Sequence, residues 1–66
     1  MTKSNRKNIL SKIESVQNSL DSCIKKLYEI DAIFGEDYPD QKDAISRMVI
    51  VISASSEVVS QNKSVF

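Results

Sequence analysis

The only glycine and the only proline of the chain, Gly35 and Pro39, lie four residues apart. These two residue types are the strongest local breakers of regular structure. Placing both at one point leaves a long uninterrupted segment on each side. The sequence therefore predicts two long elements joined by a single turn.

The period of the first segment identifies its type. Between about Arg6 and Phe34 the apolar positions are Ile9, Ile13, Val16, Leu20, Cys23, Leu27, Ile30 and Phe34, spaced alternately by four and three. That is a heptad pattern with apolar a and d positions, and a strand cannot show it. Leu10 and Ile24 widen the stripe on one flank and Ile33 on the other, as a bundle core requires. Gly35 follows Phe34 directly and is expected to close the helix in the left-handed conformation. Residues 1–5 are polar and are expected to fray.

The second helix is predicted from Pro39 to about residue 62. Proline suits the first helical position, because its missing N–H had no partner there. Asp37 or Tyr38 would precede it as the cap, Asp37 being chemically the better. The stripe continues through Ile45, Met48, Ile52, Ser55, Val59, Asn62 and Phe66, again by threes and fours. The β-branched run Met48–Ile52 would also suit a strand. It has no second strand-like segment to pair with, so helix is the better assignment.

A loop of about four residues makes the two helices antiparallel neighbours. Folding about it pairs Phe34 with Gln41, Ile30 with Ile45, Leu27 with Met48 and Cys23 with Ile52. Farther out it pairs Leu20 with Ser55, Val16 with Val59, Ile13 with Asn62 and Ile9 with Phe66. Every pair has a large apolar member, although the pairing played no part in choosing the helices. The predicted fold is all-α, a single-domain antiparallel two-helix hairpin of coiled-coil character.

Such a hairpin has one internal interface, and the sequence holds more apolar surface than that interface uses. Ala44, Val51, Val58 and Val65 recur every seven residues beside the stripe, Val49 lies on its other flank, and Ile50 lies almost opposite it. From Met48 to Ser56 there are nine residues without a charge. A chain of 66 residues buries only roughly 60% of its unfolded surface when folded alone, and the usual remedies are disulfides, metals or association. Cys23 has no partner in the chain, and without histidine no ordinary zinc site can be built. Association is the remaining route. The hairpin is expected to assemble into a four-helix bundle, as a homo-oligomer, or to dock on a larger protein. Val49, Ile50, Val51, Val58 and Val65 are the candidate contact residues. Asn62 could set register at the open end, although a polar residue there is more often simply solvated.

The net charge is zero but unevenly laid out. Residues 29–43 hold Glu29, Asp31, Glu36, Asp37, Asp40 and Asp43 against Lys42 alone, while residues 1–28 hold six bases and two acids. The hairpin therefore has an acidic tip and a basic open end. Glu36, Asp37, Asp40 and Asp43 are candidates for electrostatic contact with a partner. Their spacing does not match a calcium loop, and no metal or cofactor is expected. Glu29 and Asp31 lie where the helix dipole disfavours acids, so helix stability does not explain them.

Catalysis is not expected. Histidine is absent and a single glycine builds no phosphate loop. Cys23 sits on the stripe and is expected to be a small buried hydrophobe. A hairpin also offers little enclosed volume for a substrate. No apolar run reaches a membrane span, and the basic N-terminal residues lack the apolar run of a signal peptide. The single thiol fits a reducing cytoplasm. These features point to a protein–protein interaction module of the adaptor, inhibitor or co-chaperone kind. In length and layout the hairpin is similar to small co-chaperones of type III secretion needles. It also resembles the small dimeric hairpin bundles that bind RNA loops, such as Rop. That likeness implies an alternative, binding of RNA or DNA through Lys3, Arg6, Lys7, Lys12, Lys25 and Lys26, although nucleic-acid binders usually show an overall basic excess.

Overall fold

The computed structural model describes residues 2–66. Two helices, α1 (Lys3–Phe34) and α2 (Pro39–Asn62), pack against each other as an antiparallel hairpin, and one turn of 3-10 helix (Lys63–Val65) follows. No strand occurs among the described residues, and the β-branched run Met48–Ile52 lies within α2.

Helix α1 starts three residues before the Arg6 expected from the stripe. The Thr2 hydroxyl accepts the Asn5 N–H at 3.3 Å, which satisfies one of the orphan donors of the first turn. The cap outweighs the polar character of residues 3–5. At the other end Gly35 has φ 60° and ψ −145°. Its φ is positive, as expected, but its ψ lies far from the left-handed helical value, so the chain leaves α1 extended instead of curling once more. The cap of α2 is Tyr38, not Asp37, and no side chain bonds the first turn. Tyr38 instead lays its ring edge-on to Phe34, with centroids 5.6 Å apart, and so shuts the tip of the hairpin.

The seam between the helices is narrower than the stripe. On α1 the half-buried positions are Ile9, Leu10, Ile13, Gln17, Leu20, Ile24, Leu27, Asp31 and Phe34. On α2 they are Lys42, Val49, Ile52, Ser55, Ser56 and Val59, with Ile45 buried, and Lys63 is half-buried in the 3-10 turn. Somewhat more than half of each predicted stripe thus faces the other helix. The remainder, Val16, Cys23 and Ile30 of the first stripe with Met48, Asn62 and Phe66 of the second, is exposed. Cys23 is accordingly an exposed free thiol, not the buried hydrophobe expected from its heptad position. A heptad stripe spans about two rows of side chains, and a single neighbouring helix covers only the nearer row together with the residues just beyond it.

Polar contacts fix the register. Lys42 Nζ meets Asp31 Oδ1 at 3.0 Å near the tip, and Lys63 Nζ meets Glu14 Oε1 at 3.4 Å near the open end. The Arg6 Nε–H donates to the main-chain oxygen of Phe66 at 2.6 Å. Asp31, which the helix dipole does not favour, is thereby explained by an ion pair across the seam.

The result is a thin slab of 54 × 16 × 9 Å. Its radius of gyration is 15.8 Å, against about 11 Å for a compact domain of this length. Ile45, 6% exposed, is the one buried side chain among the described residues.

Candidate functional site

The slab has two broad sides with different chemistry. On one side, grooves along the seam are lined mainly by apolar residues, Ile13, Val16, Val58, Val59 and Phe66 with Asn62 and Lys63 towards the open end, and Cys23, Leu27, Met48 and Ile52 with Lys26 at the edge farther along. Val51 extends the same surface beside Met48 and Ile52, with Arg47 at its rim. On the other side the long groove is lined by Gln17, Asn18, Asp21, Ser53, Ser56, Glu57 and Ser60, with Ile24 at its floor. The division follows from the helical period. Val16 and Cys23 flank the α1 seam on one edge, and Asn18 and Asp21 flank it on the other.

Two polar residues interrupt the row Met48, Ser55, Asn62 on the apolar side, and each already has a donor bonded within α2. The Ser55 hydroxyl donates to the Val51 carbonyl at 2.9 Å. The Asn62 amide donates to the Val58 carbonyl at 2.8 Å. Burying a polar group costs free energy chiefly when its hydrogen bonds are left unmade. With these donors bonded inside α2, this side can be dehydrated more cheaply than its composition suggests.

The candidate contact residues divide between the two sides. Val51 (62% exposed) and Val58 (55%) stand on the apolar side. Val65 is exposed in the 3-10 turn at the open end. Val49 is half-buried at the seam, and with Ile50 (67% exposed) it lines a groove beside Tyr28, Asp31 and Ser46 on the opposite side. The sequence stripe did not single out Val16, Cys23, Ile30 or Met48 as surface residues. It placed them in the core, and their membership of the stripe was the signal that carried them.

Glu36, Asp37, Asp40 and Asp43 are all exposed around the tip. Asp43 pairs with Arg47 one turn on, at 2.9 Å. No ion pair engages Glu36, Asp37 or Asp40 among the described residues. Among those residues no group of three Cys, Asp or Glu side chains converges as a metal site would need. Among the described residues no helix is long and apolar enough to cross a membrane. Comparisons with protein-family models, with curated proteins and with solved structures find no match to this chain.

Proposed function

We propose that this chain is a non-enzymatic protein–protein interaction module, of the adaptor, inhibitor or co-chaperone kind, working in a reducing compartment such as the cytoplasm. It acts through the apolar side of the hairpin, by self-association or by docking on a larger protein. One observation carries this reading. A single side chain is buried among the described residues, while Val16, Met48, Val51 and Val58 share one side and stand in water. Fully burying such a side chain is worth roughly 1.5–3 kcal/mol, and these are about half exposed, so each still has on the order of 1 kcal/mol to contribute. The hairpin alone leaves that stabilisation unused.

The test compares the wild-type chain with Val51→Lys/Val58→Lys, each fixed on a resin. Both are offered the free chain and an extract of the source cells. Material retained by the wild type and lost by the double variant is the expected outcome. Equal retention by both, or none by either, overturns the proposal.

A further inference from the structure

We infer that the occupant of the apolar side is a second copy of this chain, packed face to face and head to tail into a four-helix bundle. The inference rests on the interaction-module reading and names its partner.

Area supports it first. The chain exposes 5223 Å², whereas a compact monomer of 7.4 kDa is expected to expose roughly 4200 Å². The surplus is about 1000 Å² on that scaling. The broad side of the slab measures 54 by 16 Å, on the order of 850 Å², and a stable interface of standard size needs about 800 Å² from each partner. One copy covering one side therefore removes most of the surplus.

Symmetry gives the second support. A two-fold axis that lays one slab on another can run along the slab or across its width. The crosswise axis reverses the direction of the second copy and stacks α1 on α1 and α2 on α2. One register then satisfies both helices. On α1, Val16 stands level with Cys23 of the second copy, and Ile9 with its Ile30. On α2, Ser55 meets the second Ser55 at the axis, where a small residue lets the backbones approach. An isologous interface requires this kind of self-match of a surface with its own reverse.

Charge decides the direction. The tip carries Glu36, Asp37 and Asp40, none of them ion-paired among the described residues, and the open end carries Lys3, Arg6, Lys7 and Lys12. The crosswise axis lays each acidic tip over the basic open end of the other copy. The lengthwise axis brings two acidic tips together, where like charges repel. The apolar side supplies the contact, and the tip charges set its direction.

The experiment uses the full chain. Sedimentation equilibrium at micromolar concentration is expected to give twice the 7.4 kDa chain mass. In a Cys23→Ser background, Glu36→Cys carries a spin label at the tip. Head-to-tail packing places the two labels near the 54 Å length of the hairpin, whereas tip-to-tip packing places them within about two helix diameters, roughly 20 Å. Val58→Lys is expected to weaken association by about a hundredfold or more, since symmetry repeats the lysine in both copies. Ser53→Lys, on the polar side, is expected to leave it unchanged. To separate loss of contact from loss of folding in Val58→Lys, the native protein supplies a further readout. Alkylation of Cys23 should slow in proportion to the fraction associated.

A monomeric mass overturns the inference. If the resin assay still retains another protein in that case, the interaction-module reading stands and only its partner changes. A dimer with a short label distance overturns the head-to-tail arrangement. Loss of association in Ser53→Lys but not in Val58→Lys, or a Cys23 rate independent of association, overturns the face.

Discussion

Replacing Ile45 and Ile50 separately by alanine measures where the seam runs on α2. The two residues carry the same side chain, five positions apart on one helix, and differ in burial, 6% against 67% exposed. Each substitution removes three carbons, worth about 0.8 kcal/mol apiece when buried. Scaled by burial, the loss is about 2.3 kcal/mol at Ile45 and about 0.8 kcal/mol at Ile50. Alanine is the better helix former and returns about 0.4 kcal/mol at both sites, so it cancels in the comparison. The space left at Ile45 opens onto the groove beside Tyr28 and Ser46. Solvent can enter it, which keeps any cavity penalty small. The expected difference is therefore about 1.5 kcal/mol on the transfer scale. Urea unfolding followed by far-UV circular dichroism measures it, with both variants at one protein concentration so that association contributes equally. Equal costs, or a larger cost at Ile50, would refute the seam described here. Either would mean that α2 is rotated and presents the Ile50 edge to α1.

Gly35 and the ion pair near the tip give two further tests. Gly35→Ala is expected to cost about 1–2 kcal/mol, because its φ of 60° is unfavourable for an L-residue. Nothing lies within 4 Å of an added Cβ, so backbone geometry and not crowding sets this cost; a Gly35→Ala chain as stable as the wild type in thermal unfolding would refute it. Asp31→Asn is expected to cost about 0.2–1 kcal/mol through its partly exposed pair with Lys42, and the cost should shrink as salt rises. A cost that persists undiminished at high salt would mean that the pair is not what holds the register.

The two helices and the turn between them were legible because each leaves a local or periodic mark. Gly35, Pro39 and the alternation of threes and fours are such marks. The rotation of each helix about its own axis was not legible. A heptad gives the width of the apolar face, and the position of a single neighbour across that face depends on how many helices share the core. Cys23 shows the difficulty. It is a d-type residue by spacing, and whether it is buried depends on what lies beyond the hairpin. Tyr38 was ranked behind Asp37 as the cap for a different reason. Side-chain capping chemistry favoured Asp37, whereas Pro39 at the first helical position and the Phe34 ring settle the geometry of the turn. Asp31 was noticed as misplaced relative to the helix dipole. Its partner, Lys42, was the single base in that stretch of sequence, and the pairing emerged only once the register was known.

The polar long groove lined by Gln17, Asn18, Asp21, Ser53, Glu57 and Ser60 limits how far any assembly can grow. An object that is adhesive on both broad sides would stack without end, each added unit offering a fresh surface to the next. This slab has one mainly apolar broad side, and another that carries the polar groove with a smaller apolar strip at Tyr28 and Ile50. Two units that met by their apolar sides would turn the polar grooves outward and leave a third only that smaller strip. Growth by stacking would then favour a closed particle over a fibre, and the serines of that groove, with Asn18, Asp21 and Glu57, are what would impose the limit.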